Sequence, residues 1–277
     1  MFNPPKMKRS FSNLSRPARV VAGSFIVLLL LHSQEAAAQD WAKARLEKSP
    51  RHHEYVDIKS GDRTIKALVV YPEAKDKTPV VLVIHEIFGL TDWVKSLCDQ
   101  LAESGVIAIC PDLLSGQTYA DADGAVKAIS ALPKEQVKAD LDATSGYALT
   151  KIAGANGTLT VCGFCWGGGW AFSYANENSK LKAAYSFYGT APDDESKVAN
   201  IACPVYGFYA ENDARVGATI PKAEELMKAA GKKYEPVIYK GAGHGFMRDG
   251  ESPTGTPENK KARDDAWARW KTLLKQL

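Results

Sequence analysis

The 277-residue sequence contains no apolar stretch long enough to be a membrane span: its longest, at positions 20–31, has twelve residues, against the roughly 18 to 20 that a spanning helix needs. A charge excess of one sign is also missing. The 35 Lys and Arg face 32 Asp and Glu, and five of those bases against one acid lie before Gln39, so 30 basic and 31 acidic residues remain in positions 39–277. That balance leaves no overall electrostatic footprint for nucleic acid. No internal repeat, heptad array or low-complexity tract is visible. With 45% hydrophobic and 24% charged residues, disorder and collagen-like structure are excluded too. Histidine and cysteine are scarce, five of each, so the few positions available to nucleophile and base chemistry can be weighed one by one.

The N-terminus reads as an address. Basic residues Lys6, Lys8, Arg9, Arg16 and Arg19 lead into the apolar stretch at 20–31 and then to Ala36-Ala37-Ala38, the order of a signal peptide with a small-residue cleavage site. Residues 1–38 are therefore expected to be a signal peptide, and 39–277 a single mature domain in the periplasm or outside the cell. Cleavage leaves no stable membrane anchor. Lys8-Arg9-Ser10-Phe11 resembles a weakened twin-arginine export signal. Export implies an oxidising compartment, yet an odd number of cysteines leaves at least one outside any intramolecular disulfide. Cys110, Cys162 and Cys203 sit in apolar, strand-like contexts where cysteine acts as a small hydrophobe; Cys165 does not.

Along the mature chain, positions 53–71 read as two extended segments around the turn Ser60-Gly61-Asp62. Short, almost unbroken apolar runs follow at 80–84, 106–110, 159–162, 183–187, 205–209 and 236–239, the pattern of strands buried on both faces in a parallel sheet. Helix-like stretches at 92–104, 134–153, 168–176, 221–230 and 259–274 alternate with them, and positions 115–124 and 189–200 read as loops. The alternation predicts an α/β fold, a doubly wound, mostly parallel sheet flanked by helices. In such a sheet the binding crevice lies beyond the carboxyl ends of the strands, so chemistry is sought just after each apolar run.

After the run at 159–162 comes Gly163-Phe164-Cys165-Trp166-Gly167, the spacing of a nucleophile elbow with Cys165 in the nucleophile position. A side chain there stands at a helix N-terminus, whose dipole favours a thiolate. Cys162 and Cys165 also form a Cys-x-x-Cys, open to a redox or zinc reading. Zinc needs further ligands, and the other cysteines lie in separate apolar runs. Cysteine acyl chemistry needs a base and an acid to orient it. Among the histidines His32 is lost with the signal peptide, His52 and His53 precede the first strand, and His85 follows the run at 80–84. His244 follows the last run between two glycines and fits the chain order nucleophile, acid, histidine. Asp213, after the run at 205–209, is the acid, with Glu211 as the alternative. The loop His85-Glu86-Ile87-Phe88-Gly89 supplies one oxyanion-hole N–H from Ile87, and Trp166 the other. A carboxylate at Glu86 beside the thiol is unexpected for a simple hydrolase; the bland reading is a solvated loop acid.

Taken together and in order, His85-Glu86-Ile87-Phe88-Gly89, Cys110-Pro111-Asp112-Leu113, Gly163-Phe164-Cys165-Trp166-Gly167-Gly168, Glu211-Asn212-Asp213 and Gly243-His244-Gly245-Phe246 with Arg248 resemble the dienelactone hydrolase family of the α/β-hydrolase superfamily. The resemblance implies an ester hydrolase of the carboxymethylenebutenolidase type, with a triad of Cys165, Asp213 and His244, a thioester intermediate, and neither metal nor organic cofactor. It implies that Glu86 contacts the resting thiol and shifts on substrate binding, and that Arg248 binds a substrate carboxylate. The substrate expected is a small, anionic ester or lactone; a broader carboxylesterase or thioesterase with the same triad is the alternative. The segment at 115–124 lacks the second arginine with which the family grips the carboxylate, and Lys127 is the substitute within reach in sequence.

Overall fold

A computed structural model describes Met1 and residues 39–277; the expected signal peptide lies outside the described residues. The chain runs α1 (Asp40–Glu47), β1 (His53–Ser60), β2 (Arg63–Val70), β3 (Thr78–Ile84), α2 (Asp92–Glu103), β4 (Ile107–Pro111), α3 (Ala122–Ser130), α4 (Lys134–Thr150), β5 (Ala155–Phe164), α5 (Trp166–Glu177), β6 (Ala184–Phe187), β7 (Val205–Ala210), α6 (Ala214–Gly217), α7 (Ile220–Ala229), β8 (Tyr234–Tyr239), α8 (Phe246–Asp249) and α9 (Pro257–Leu274). The eight strands form one sheet in the order β1-β2-β4-β3-β5-β6-β7-β8. β1 and β2 pair antiparallel, as do β2 and β4, and every other pair is parallel. This is the mostly parallel, doubly wound sheet of the α/β-hydrolase fold.

The order explains where a site must lie. From β3 the chain goes to one side to make β4, then returns to make β5 on the other, so the loops after β3 and β5 diverge from adjacent strand ends and leave a crevice between them. Those loops carry Glu86 and Cys165.

Alternate side chains of each strand enter separate apolar layers. Val81, Val83, Phe164, Phe187 and Phe208 face Trp93 of α2 and Trp270 of α9, whereas Val80, Leu82, Ile84, Val161 and Val205 face Leu141 of α4, Phe172 of α5 and Leu226 of α7. Because Phe164 is in register with Phe187, and Phe187 with Phe208, three rings stack across β5, β6 and β7 at centroid separations of 4.7 and 4.2 Å. Trp270 closes over the row 4.8 Å from Phe187. Phe164 is the residue before Cys165, so this aromatic row is the floor of the crevice.

Several boundaries differ from the sequence reading. His53 opens β1 instead of preceding it, and its Nε2 lies 2.8 Å from Asp99 on α2. The turn between β1 and β2 is the pair Gly61-Asp62, with Gly61 at φ +58°. α4 stops at Thr150 because the chain must enter the sheet, where Gly154 O accepts from Thr78 N–H at 2.9 Å. The stretch read as a loop to position 124 already contains the start of α3, where the Asp121 carboxylate caps Gly124 N–H at 2.7 Å. α1 escaped notice because it buries one residue, Ala42, and so lacks an apolar stripe.

The stacked row predicts that Phe187→Ala, which removes a fully buried ring from contact with three aromatic neighbours, costs about 3 to 5 kcal/mol of stability. Equilibrium urea unfolding measures it, and a loss below about 1 kcal/mol would contradict the packing described.

Candidate active site

β5 ends at Phe164, and the next residue turns the chain directly into α5. Cys165 adopts φ +56°, ψ −118°, a conformation that costs an L-residue on the order of 1–3 kcal/mol. Two glycines make the turn feasible. A Cβ on Gly163 would lie 1.9 Å from Gly167 O, and one on Gly167 would lie 2.4 Å from both Ile84 O and His85 O. The turn is then clamped: Cys165 N–H donates to Phe187 O at 3.0 Å, while Cys165 O accepts from Gly168 and Gly169 N–H at 3.0 and 3.2 Å. Cys165 is the one partly exposed cysteine, the other four being buried. Helix α5 therefore starts at Trp166, two residues earlier than its composition suggests.

The imidazole comes from the loop after β8. Asn212 N–H donates to Ala242 O at 2.9 Å and Gly241 N–H to Glu211 Oε2 at 2.8 Å, which lashes the loops after β7 and β8 together. Glu211 is thus a loop fastener. Asp213 is the carboxylate that reaches the imidazole: Oδ2 meets His244 Nδ1 at 2.5 Å, and Oδ1 accepts from Val216 N–H at 3.2 Å. With Nδ1 committed to Asp213, the other imidazole nitrogen is the one left for the Cys165 side, and the thiol contributes to holding the imidazole protonated.

His85 is structural. Its Nδ1 pairs with Glu86 O at 2.7 Å and its Nε2 accepts from Leu113 N–H at 3.2 Å, so both ring nitrogens are occupied by backbone. Burial pushes its pKa down. Glu86 is 3% exposed, not a solvated loop acid. Its Oε2 is paired with Arg248 and its Oε1 accepts from the Tyr188 hydroxyl at 3.3 Å. Among the described residues no hydrogen bond joins Glu86 to Cys165, so the resting carboxylate points to the arginine instead of the thiol. Arg248 also donates to Asp249 Oδ1 through Nε at 3.2 Å and Nη2 at 3.1 Å, and lies 5.3 Å over the Phe88 ring. The amides of Ile87 and Trp166 belong to two segments in contact, since Gly167 rests on the carbonyls of Ile84 and His85. Lys127 is exposed on α3.

The model of the "Dienelactone hydrolase family" matches residues 65–277. The chain belongs to that family. It is 32% identical over 236 residues to a protein of Methylorubrum extorquens named "Putative carboxymethylenebutenolidase", covering 80% of each chain. A protein of the same name from Escherichia coli K12 is 29% identical over 238 residues, covering 80% of this chain and 86% of the relative. A crystal structure described as "Putative Dienelactone Hydrolase" from Klebsiella pneumoniae superposes with a TM-score of 0.74 at 29% identity, covering 82% of this chain and 99% of that one. Membership makes the protein a carboxylic ester hydrolase.

This separates it from the redox and zinc readings of Cys162 and Cys165. Cys162 lies wholly inside the apolar layer with Cys98 and Cys110, and burial pushes its thiol well above the ordinary range. Among the described residues no group of three or more His, Cys, Asp or Glu side chains is placed to hold a metal ion, and no helix is long and apolar enough to cross a membrane.

The charges of this hydrolase form two chains. In the first, burial disfavours the His244 imidazolium, but the hydrogen bonds and charges of Asp213 and Cys165 outweigh it and lift the pKa to about 10. Burial likewise pushes Asp213 up, and His244 and the Val216 N–H more than reverse it, so the carboxyl ends below its usual range. In the second, burial raises the Glu86 carboxyl against the pull of Arg248. Burial also works against the Arg248 charge, but Glu86 and Asp249 hold the guanidinium more firmly protonated than usual. Tyr188 touches both chains: its hydroxyl reaches Glu86, and its ring stands edge-on to His244 with the ring centroids 5.1 Å apart. Sequence reasoning passed over Tyr188 and Asp249. Tyr188 directly follows the apolar run at 183–187, the place where chemistry was sought elsewhere.

Because the His244 pKa is higher in the folded chain than in an unfolded one, its stabilising effect is complete below pH about 6.5 and lost as the pH rises through about 10. NMR titration of the imidazole is expected to give a midpoint near 10 that falls by more than one unit in Asp213→Asn and also falls in Cys165→Ala. A midpoint near 6.5 in the unmodified protein would contradict the pairing.

Proposed function

We propose that Cys165, His244 and Asp213 act as nucleophile, base and acid in hydrolysis of a small ester or lactone through a thioester. The observation that carries the reading is the strained Cys165 at the start of α5, together with a His244 imidazole held through Nδ1 by Asp213 and favoured as a cation by both Asp213 and the thiol. With the thiol proton on His244, the thiolate attacks the substrate carbonyl carbon. The developing oxyanion accepts from the Ile87 and Trp166 N–H groups, one in the loop after β3 and one at the helix N-terminus, where the dipole adds to the stabilisation. Collapse of the tetrahedral intermediate breaks the C–O bond. The leaving oxygen takes the proton from His244, or departs as an enolate when a conjugated lactone ring opens. Water then gives a proton to His244 where the leaving oxygen took the first one, or to the enolate where His244 kept it; hydroxide adds to the thioester, and the thiolate leaves.

Glu86 and Arg248 give this site a second function, control of its resting state. A substrate carboxylate competing for Arg248 would release Glu86, buried within the same crevice, from its resting partner as the thiol proton passes to His244. The buried pair tolerates such an exchange only if one carboxylate replaces the other, because an unpaired guanidinium in this setting is strongly disfavoured. Anionic substrates of the dienelactone type fit that logic best, and the names of the relatives agree with it. Action in the periplasm or outside the cell, after export, is part of the same proposal and rests on the N-terminal sequence.

Cys165→Ala is expected to lower kcat/KM by at least about a thousandfold on both trans-dienelactone and p-nitrophenyl acetate, whereas Cys162→Ser retains turnover. Acyl-enzyme trapping by acid quench and mass spectrometry locates the thioester. Retention of turnover in Cys165→Ala, or an acyl group on another residue, would overturn the mechanism.

A further inference from the structure

Four thiols take no part in the proposed chemistry, and their placement bears on how the chain reaches an oxidising compartment. All five cysteines are free. Cys98 of α2, Cys110 of β4 and Cys162 of β5 are fully buried in one apolar layer, and Cys203 is nearly so in the other. Cys162 pairs with Val83, and Leu82 with Ile109, so Cys110 and Cys162 flank Val83 on the two neighbouring strands. Their Cα atoms are then about 10 Å apart, twice the strand spacing, whereas a disulfide needs less than about 7 Å. Burial, and after it the neighbouring Cys98 thiol, push Cys110 well above the ordinary thiol range, and burial does the same to Cys162. Within the folded chain these thiols are inert.

In the unfolded chain they are not. There a disulfide oxidant can take two protons and two electrons from any pair of thiols: an S–S bond forms within the protein, that of the oxidant breaks, and two thiols of the oxidant leave. Cys162 and Cys165 have the spacing of redox-active pairs, and a bond between them would consume the sulfur on which the proposed turnover depends. The interval of exposure is long. β3 and β5 pair residues as far apart as Val80 and Leu159, and pairings of that range form slowly. The layer around Cys98, Cys110 and Cys162 is completed by Trp267, Trp270 and Leu274 of α9, the last helix. A chain threaded unfolded through a membrane from its N-terminus delivers α9 last, so these thiols would face the oxidant until the final residues arrived.

The sequence carries the mark of another route. Lys8-Arg9, followed by Ser10-Phe11, is an adjacent basic pair ahead of the apolar stretch at 20–31, as in twin-arginine signals, whose translocase carries proteins that are already folded. We infer that the export partner of this chain is a translocase of folded proteins that recognises Lys8-Arg9, and that the domain closes over Cys98, Cys110 and Cys162 before it leaves the reducing cytoplasm. This rests on the export reading above. It accounts for the unused cysteines as well: the oxidant meets only a folded surface, on which Cys165 alone is partly exposed.

The test produces the full chain in a bacterium with a periplasm in three forms: wild type, the double variant Lys8→Gln with Arg9→Gln, and a chimera whose residues 1–38 are replaced by a signal for unfolded export. Fractionation gives the share in the periplasm, and iodoacetamide labelling of the denatured product, read by mass spectrometry, counts its free thiols. The wild type is expected in the periplasm with all five cysteines labelled, the double variant loses export, and the chimera arrives with fewer labelled cysteines and a matching loss of ester turnover. Where the chimera does not accumulate, refolding decides. Glutathione disulfide present while the urea-unfolded mature protein refolds is expected to remove thiols and turnover; added after refolding, it leaves Cys98, Cys110, Cys162 and Cys203 free. Export that ignores Lys8-Arg9, a chimera with all its thiols free and full turnover, or equal thiol recovery in both orders of addition overturns the inference and leaves export standing. Wild type found wholly in the cytoplasm removes the export reading itself, and the inference with it.

Discussion

The contact on which the rest of the site depends is backbone against backbone. Where β5 passes into α5, Gly163 lies on the carbonyl of Gly167, and Gly167 in turn rests on the ends of β3. No side chain fits between these segments. Their approach forces Cys165 into a positive φ, points the helix N-terminus at the crevice, and brings the Trp166 amide alongside the loop that carries Ile87. Glycine inside a helix costs roughly 1 kcal/mol per residue relative to alanine, and three in succession at 167–169 make the first turn of α5 intrinsically weak. The aromatic row beneath it, from Phe164 to Phe208, compensates with dense packing. Stability is concentrated in the floor so that strain can persist in the turn above it.

Two chains of alternating charge converge on this turn. One joins His244 to Asp213 and holds the imidazolium with help from the Cys165 thiol, the other runs from Glu86 through Arg248 to Asp249. Each places a cation between two groups that are or become anionic, the arrangement that makes buried charge tolerable. Tyr188 joins them, with its hydroxyl on one and its ring on the other. A carboxylate that entered the second chain would therefore alter the field felt by the first. The coupling follows from short distances in a poorly solvated crevice, where charges are weakly screened.

The loops that hold these groups are fastened by contacts remote from the chemistry. Glu211 and Asn212 bind the loop of His244, His85 binds the backbone of Glu86 and Leu113, and Thr219 ties the loop of Thr190 to α6. Residues with catalytic-looking side chains thus divide into those that face the crevice and those that hold its walls. His85 and Glu211 belong to the second group although their positions after strands suggested the first. The fold is shared widely among hydrolases; what particularises this one is the set of side chains on these loops.

Much of this was legible in the amino-acid order. Runs of Val, Ile, Leu and Phe at 80–84, 106–110 and 205–209 can be satisfied only by strands covered on both faces, so the parallel sheet followed from them, and the spacing of Gly163, Cys165 and Gly167 marked the elbow because few other turns need glycine on both sides of a reactive residue. Local signals did not reach α1, which has no apolar stripe, or the start of α3, which depends on one capping carboxylate. Nor did they reveal which partner each charged side chain would take. Glu86 and Arg248 are 162 positions apart, and Arg215 and Thr190 meet only because β6 and β7 are neighbours. Periodicity and residue type are local properties, and they determined the strands, the helices and the place of the elbow cysteine. Ion pairing across the crevice is decided by the superposition of loops from different strands, and that became visible only when the chain was folded.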